Sequence, residues 1–152
     1  MRLVIQRVKY ASVKVDGEVK GEIKGGFLVL FGVKKGDTEK DLEYCVKKLV
    51  GLRVFKDEED KMNLNIQDIN GEFLIISQFT LYADTKKGNR PSFIMAEEPE
   101  KAEKMYEIFL EKVRTDSGRK VEKGVFGADM KVELLNDGPV TIIIESPFNV
   151  GE

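Results

Sequence analysis

The 152-residue sequence contains no histidine and a single cysteine, Cys45. Without histidine, the chain cannot build the Ser-His-Asp or Cys-His systems that activate many enzymatic nucleophiles. The same shortage excludes the histidine and cysteine ligand sets that hold transition metals, and we expect neither a metal nor another cofactor. A lone cysteine also excludes an intrachain disulfide, which fits a reducing compartment.

Long hydrophobic runs and an excess of positive charge are missing as well. The longest purely apolar stretches, such as residues 27–31, have the length of a strand and fall far short of a membrane span. Arg2 and Arg7 interrupt the N-terminus too early for a signal peptide. A net charge of −2 argues against broad nucleic-acid affinity. We therefore expect a cytoplasmic protein with no membrane partner and no DNA partner.

The composition, 41% hydrophobic and 34% charged residues, is typical of a folded globular protein, and we place one domain over residues 1–152. Hydrophobic periodicity predicts a mixed α and β (α/β) domain. Alternating or continuous apolar patterns predict strands over residues 2–15, 18–23, 27–33, 73–81, 130–135 and 140–146. Apolar residues at helical spacing predict helices over residues 38–52 and 99–113.

Polar residues end the apolar pattern of residues 73–81, at Ser77, Gln78 and Thr80. Strand ends and the loops after them are where sheet proteins gather ligand contacts. The same hydroxyl groups could instead bond to neighbouring backbone where the strand stops. The spacing alone leaves both interpretations open.

The second segment of interest is "NDGPVT", residues 136–141. Asp137-Gly138 is a hairpin signal, and Pro139 cannot donate a hydrogen bond to a central ladder. Local sequence favours an ordinary tight turn between the last two strands. Most X-Pro bonds in folded proteins are trans, so a cis bond is not the default here.

Taken together, "SQFTL" at residues 77–81 and "NDGPVT" resemble the D-aminoacyl-tRNA deacylase family. The resemblance extends in one order along nearly the whole chain. It includes "IQRV" and "ASV" within residues 5–13, "KMNLN" at 61–65, "NRPSF" at 89–93 and "FGADM" at 126–130.

This resemblance implies a fold and an activity. The fold is a three-layer β/β/α arrangement of two sheets and a helical layer. The enzymes hydrolyse the ester between a D-amino acid and the 3′-terminal adenosine of tRNA, accept glycine mischarged onto alanine tRNA, and spare L-aminoacyl-tRNA. They act as homodimers in which a cis Gly-Pro peptide, here Gly138-Pro139, enters the partner's pocket as a chiral gate.

A mechanism without histidine follows if the ribose 2′-hydroxyl of the substrate orients or activates water. Main-chain N–H groups around Gln78 and Phe79 are then candidates for the oxyanion hole. Ser77 and the Gln78 side chain would hold the substrate. Thr80 is the competing nucleophile, although no histidine is available to deprotonate it.

Other residues gain roles from the resemblance, each with a plain structural alternative. Arg7 could brace the gate or form a surface salt bridge. Phe126 and Met130 could pack against the terminal adenine or belong to the core. The cations of the loop before Pro91 could contact acceptor-stem phosphates or face solvent; they are Lys86, Lys87 and Arg90.

Three other functions stay compatible with the motifs. A non-catalytic RNA-binding module would bind tRNA without regard to the stereochemistry of its amino acid. A general esterase or amidase would cleave small D-amino acid esters without a ribose. A dimerisation domain would use Gly138-Pro139 as a pairing hinge.

Overall fold

The first strand, β1 (Arg2–Val15), pairs with three other strands. The computed structural model describes residues 1–149. β1 is followed by a turn at Asp16-Gly17, two residues with positive φ, and by β2 (Glu18–Ile23). The remaining strands are β3 (Gly26–Gly32), β4 (Phe55–Lys56), β5 (Met62–Leu64), β6 (Glu72–Ser77), β7 (Val121–Lys123) and β8 (Lys131–Glu145).

The two halves of β1 pair with different strands on one side. Its first half, from Arg2 to Val8, pairs antiparallel with β3. Its second half, from Ala11 to Val15, pairs antiparallel with β2. β8 pairs with β1 on the other side, from Arg2 to Lys14. β1 therefore connects two parts of one six-stranded sheet, in the order β2-β1-β3-β6-β7 with β8 added to β1.

Alternate residues of β3 and β6 face two separate hydrophobic clusters. Phe27, Val29 and Phe73 pack against the apolar faces of both helices. Leu28 and Leu74 point the other way, toward buried residues of β2 and of the second half of β1. The first cluster lies between the helical layer and the sheet, and the second lies between the two β layers. The predicted three-layer β/β/α class is confirmed, and the two β layers are joined through β1.

The two helices begin and end where their sequences supply signals. Helix α1 (Glu39–Gly51) starts after Thr38, which forms a capping box with Asp41 and so satisfies amide groups of the first turn. Helix α2 (Pro99–Ser117) has its proline in the first turn and ends at Gly118 in the left-handed region. Both predicted helices are confirmed. Neither helix of the described residues is long and apolar enough to cross a membrane.

Two predictions about strands are wrong. β6 ends at Ser77, and a 3-10 helix (Phe79–Tyr82) replaces the rest of the predicted strand over residues 73–81. The two predicted last strands are one strand, β8, and do not form a hairpin. Both parts of β8 pair with β1 rather than with each other, because β1 is long enough to hold them in line.

A buried ion pair ties the start of β1 to the turn before α1. The α-ammonium group of Met1 lies 2.7 Å from the Asp37 carboxylate, and both side chains are fully buried. The same carboxylate accepts the amide of Lys34 at 2.7 Å and the side-chain amide of Asn149 at 2.8 Å. Asp37 therefore joins three separate parts of the chain.

We expect Asp37→Asn to lower the free energy of unfolding by about 3–5 kcal/mol, because it leaves the Met1 ammonium buried without a counter-charge. Urea unfolding at neutral pH measures the change. Asp116→Asn is the matched control, since Asp116 is exposed on α2, and it should change stability by no more than about 0.5 kcal/mol. Equal stability of the two variants would contradict this role of Asp37.

Candidate active site

A cavity of about 810 Å³ opens beside the end of β6. Ser77, Gln78 and Phe79 form one wall, the start of α2 forms another, and residues 126–130 form a third. The volume lies within the range of sites that bind small organic ligands, roughly 300–1,000 Å³. The structure thus brings the polar strand end together with Phe126 and Met130 in one cavity.

The backbone changes direction at Gln78. Its N–H group donates to the Phe31 carbonyl at 2.8 Å, which makes it the last hydrogen bond of the β6–β3 ladder. The 3-10 helix starts at Phe79, and its first internal bond is from the Leu81 amide to the Gln78 carbonyl at 3.2 Å. The first amides of a helix have no intrahelical acceptor. Within residues 1–149, the amides of Phe79 and Thr80 donate to no protein acceptor.

This geometry corrects the prediction for Gln78. Its main-chain N–H is engaged in the sheet, so it is not free for an oxyanion. The free donors lie one residue further on, at Phe79 and Thr80. Sequence reasoning missed the shift because the apolar residues Phe79 and Leu81 look like a continuing strand.

The 3-10 helix is fixed from two sides. Arg2 donates to the Leu81 carbonyl at 2.7 Å, and its guanidinium lies 4.8 Å from the centre of the Tyr82 ring. On the cavity side, the rings of Phe79 and Phe93 meet edge to face with centroids 5.1 Å apart. Phe79 still exposes 58% of its surface. The helix therefore presents the Phe79 ring at the cavity and begins with two amides that have no protein acceptor among residues 1–149.

Thr80 is exposed and does not line the cavity. The side-chain amide of Gln78 donates a hydrogen bond to the Thr80 hydroxyl. An amide NH₂ group is a donor and cannot remove the proton of a hydroxyl group. Among residues 1–149, the Thr80 hydroxyl therefore has an amide as its hydrogen-bond partner and no general base.

Phe126 and Met130 each serve the core and the cavity. Phe126 lines the cavity and lies 6.1 Å from the ring of Tyr106 in the helical layer. Met130 lines it too and packs against the second hydrophobic cluster. For Phe126 and Met130, packing in the core and facing the cavity therefore do not exclude each other.

A carboxylate that the sequence analysis did not consider also lies at the cavity. The Glu97 side chain is only 9% exposed and pairs with Lys101 at 3.2 Å. It accepts the amides of Glu98 at 3.0 Å and Gly36 at 3.4 Å. Burial raises the pKa of Glu97, but these hydrogen bonds together outweigh burial and hold it below its usual value. The cavity therefore contains an anion at neutral pH. In the sequence, the i,i+4 spacing of Glu97 and Lys101 was the pattern that indicated this ion pair.

Cys45 lies outside this site. It is buried in the main core, and burial raises the pKa of its thiol to about 12. The thiol is therefore protonated at neutral pH and unreactive. Cys45 is therefore a packing residue of the core.

Neither Gly138 nor Pro139 lines the cavity of its own chain. Gln6 pairs with Thr141 and Val8 pairs with Asn136, so residues 137–140 bulge from β8 opposite Arg7 alone. Gly138 and Pro139 are exposed there, and the bond between them is cis. The cis bond implied by the family resemblance is thus confirmed, against the trans bond that local sequence favoured.

The bulge is held by Asn136 across its ends. The Asn136 side chain accepts the Val140 amide at 2.8 Å and donates to the Val140 carbonyl at 3.2 Å and the Thr141 hydroxyl at 3.3 Å. These bonds close the backbone around residues 137–139 much as a turn would.

Arg7 holds the bulge from beneath. It is only 5% exposed and donates to the carbonyls of Asp137 at 2.8 Å and Val54 at 2.6 Å. Arg7 also lies 3.9 Å from the Asp137 carboxylate, so a salt bridge is present, but the arginine is buried and its shorter bonds are to carbonyl groups. Arg7 thus supports the segment that contains Gly138 and Pro139.

Comparison with known proteins places this geometry in a family. The sequence model of the D-Tyr-tRNA(Tyr) deacylase family matches residues 4–145. The chain belongs to this family. The match spans β1 to β8 and includes the cavity wall and the Gly138-Pro139 bulge.

Individual relatives agree with this placement. The D-aminoacyl-tRNA deacylase of Thermosipho melanesiensis is 56% identical over 146 residues, 96% of this chain and 97% of that protein. The D-aminoacyl-tRNA deacylase of Clostridium beijerinckii is 57% identical over 149 residues, 98% and 99% of the two chains.

Solved structures show the same fold. The c-Myc DNA Unwinding Element Binding Protein superposes with a TM-score of 0.91 at 45% identity, covering 97% of this chain and 99% of its own. A probable eukaryotic D-amino acid tRNA deacylase superposes with a TM-score of 0.80, covering 95% and 98% of the two chains. At 17% identity, the second match supports the fold alone.

Proposed function

We propose that this protein hydrolyses the ester bond of D-aminoacyl-tRNA and releases the free amino acid and tRNA. The observation that carries this proposal is the family match over residues 4–145. The activity makes the protein a proofreading hydrolase of translation, acting in the cytoplasm. Glycyl-tRNA mischarged on alanine tRNA is a second substrate, because glycine has no side chain for a chiral gate to reject.

The cavity receives the aminoacyl ester and the 3′-terminal adenosine. Phe126 and Met130 supply an aromatic ring and a thioether for the adenine base, which such groups commonly contact. Ser77 and the Gln78 side chain, at the end of β6, hold the ester. No cofactor takes part in this scheme.

Hydrolysis requires a water molecule, a route for its proton and a site for the negative charge on the carbonyl oxygen. The ribose 2′-hydroxyl lies beside the ester in the substrate itself and orients or activates the water. The water oxygen bonds to the carbonyl carbon, the bond to the ribose 3′-oxygen breaks, and a proton passes to that oxygen. Holding these groups together contributes several kcal/mol of barrier reduction.

The amides of Phe79 and Thr80 stabilise the negative charge on the carbonyl oxygen. Two observations support this assignment. Both amides lack a protein acceptor among residues 1–149, and they belong to the first two residues of a 3-10 helix that starts at the cavity wall. One oxyanion-hole donor contributes about 3 kcal/mol. Main-chain donors need no particular side chain, which suits a sequence without histidine.

The chiral gate is formed in trans, by the Gly138-Pro139 bulge of a second copy. Its support is that the bulge is exposed, is braced by Arg7 and Asn136, and lies outside the cavity of its own chain. Backbone carbonyls of the bulge accept the α-amino group and leave no room for an L side chain. The catalytic unit is therefore a homodimer that tolerates many D side chains.

We further propose tRNA, rather than DNA, as the nucleic acid partner. One structural relative has a name that refers to DNA. The net charge of −2 gives no broad attraction to a DNA duplex, while the cavity has the size for one aminoacyl-adenosine end.

The activity is tested by the release of amino acid from matched D-, L- and glycyl-tRNA. We expect rapid loss of the D and glycyl esters and little loss of the L ester, because the gate excludes the L side chain. Binding without hydrolysis would instead establish an RNA-binding module. Equal cleavage of small D-amino acid esters that lack ribose would establish a general esterase. Competition by a DNA duplex as strong as that by tRNA would overturn the choice of partner.

The source of catalysis is tested with three variants in the same assay. Thr80→Ala should lose less than about tenfold in kcat, since only a neutral hydrogen bond worth roughly 1 kcal/mol is removed. Phe79→Pro should fall about 10²–10³-fold below Phe79→Ala, because both lack the ring and only proline lacks the N–H donor. Loss of activity in Thr80→Ala, with Phe79→Pro equal to Phe79→Ala, would make Thr80 the nucleophile.

The gate in trans is tested by mixing two inactive variants, Phe79→Pro in the cavity and Gly138→Val in the bulge. Gly138 has φ +147°, and a Cβ there would lie 2.8 Å from a methyl of Val140. Random exchange of subunits should restore roughly a quarter of wild-type activity, since half of the dimers are mixed and each has one intact site. Each variant alone, with an unchanged unfolding midpoint, is the control. No recovery in verified mixed dimers would mean that the bulge acts on its own chain or not at all.

A further inference from the structure

The loop between the 3-10 helix and the cavity carries three cations. Lys86, Lys87 and Arg90 lie within five residues of sequence, and all three are exposed. We call residues 84–92 the cation loop. Nothing in the proposed hydrolysis uses it.

The cation loop has a defined backbone. Asp84 and Ser92 close its base with two amide-to-carbonyl hydrogen bonds of 2.8 and 2.9 Å. The Asp84 carboxylate accepts the Lys86 amide at 2.9 Å, and Gly88 adopts a positive φ of 79° at the tip. The backbone polar groups at the base are thus satisfied within the loop, and the cationic side chains are left to face outward.

The cation loop has three cations and one carboxylate, Asp84, so it keeps an excess of positive charge. Elsewhere on the surface, lysines lie beside carboxylates, as Lys112 does beside Glu39 and Glu43. Among residues 1–149, no carboxylate comes within salt-bridge distance of the cationic groups of Lys86, Lys87 or Arg90. Three neighbouring like charges in a protein of net charge −2 form a local site for an anion.

The cation loop is adjacent to the cavity. Its last residue is followed directly by Phe93 and Ile94, which line the cavity, and Phe93 packs on Phe79 at 5.1 Å. Arg90 is three residues before Phe93, which allows at most about 10 Å at 3.3–3.6 Å per residue. A polymer with its end in the cavity would therefore pass close to these cations.

We propose that Lys86, Lys87 and Arg90 bind backbone phosphates of the tRNA strand that leads away from the terminal adenosine. The inference rests on the proposed function. Phosphates are the expected contacts because residues 84–92 include no aromatic ring on which a base could stack. Such contacts position the RNA without reading its sequence, so one loop serves tRNAs for many amino acids.

The test compares two variants that remove the same charge. The loop variant carries Lys86→Gln, Lys87→Gln and Arg90→Gln. The control carries Lys24→Gln, Lys47→Gln and Lys48→Gln, at exposed positions on the β2–β3 turn and α1. Each is assayed on D-aminoacyl-tRNA and on the same D-amino acid esterified to adenosine alone, at several salt concentrations.

We expect the loop variant to raise KM for D-aminoacyl-tRNA about tenfold or more at moderate salt, with kcat nearly unchanged. The slope of log affinity against log salt should become shallower by roughly two to three, since each lost phosphate contact removes about 0.7–0.9. Its kinetics on the adenosine ester should match wild type. The control should keep a steeper salt slope than the loop variant.

The outcomes separate the two proposals. Wild-type hydrolysis of D-aminoacyl-tRNA with no difference between the loop variant and the control would overturn the role of the cation loop and leave the proposed function standing. An equal loss on both substrates would also overturn it, because the loop would then act on the cavity rather than on RNA. Wild type that cleaves neither ester would refute the proposed function itself.

Discussion

The pairing of β8 with β1 on both sides of residues 137–140 is the constraint on which the rest depends. Because β1 holds Asn136 opposite Val8 and Thr141 opposite Gln6, the intervening residues have no place in the ladder and must leave the sheet. Arg7 lies at the gap and bonds the displaced backbone. β1 also pairs with β3, and β3 pairs with β6, whose end forms one cavity wall. The bulge and the cavity wall are therefore connected through β1 within one sheet.

That arrangement also decides what kind of chemistry the site can offer. The cavity is lined by main-chain groups, by the polar residues Ser77 and Gln78, and by the acidic residues Glu97, Glu98 and Asp129, of which Glu97 is buried and held as an anion. None of these is a strong base at neutral pH. An ester of a ribose is already an activated acyl group with a hydroxyl beside it. A site of this composition can therefore act by positioning and by charge stabilisation.

Much of the fold could be predicted from local patterns, because those patterns are local in origin. The capping signal at Thr38 and the proline at Pro99 act within one helical turn, and the observed starts of α1 and α2 follow them. The continuous apolar run of β3 is also explained locally, since clusters cover both of its faces. The candidate residues of the cavity wall came from the family resemblance, and their position beside one another could not be derived from spacing.

The errors have a common physical cause, which is that pairing partners decide what a local pattern cannot. Phe79 and Leu81 fit a strand by hydrophobicity, yet the chain turns after the bond from Gln78 to Phe31 completes the ladder. Asp137-Gly138 fits a hairpin, yet a 14-residue β1 accepts both parts of β8 in line. When a local preference conflicts with pairing to a long neighbouring strand, the chain adopts the arrangement that forms more hydrogen bonds.

In the proposed mechanism, the main-chain groups of the site are held by side chains that do not line the cavity. Arg2 bonds the 3-10 helix at the Leu81 carbonyl, and Asn136 bonds the bulge at Val140. Main-chain N–H groups near Gln78 and Phe79 were predicted from the sequence, but the supporting roles of Arg2 and Asn136 were not, because a local pattern does not show which distant side chain holds a backbone segment. Where the backbone does the chemistry, the side chains that fix its φ and ψ angles are the ones that a substitution should disturb most.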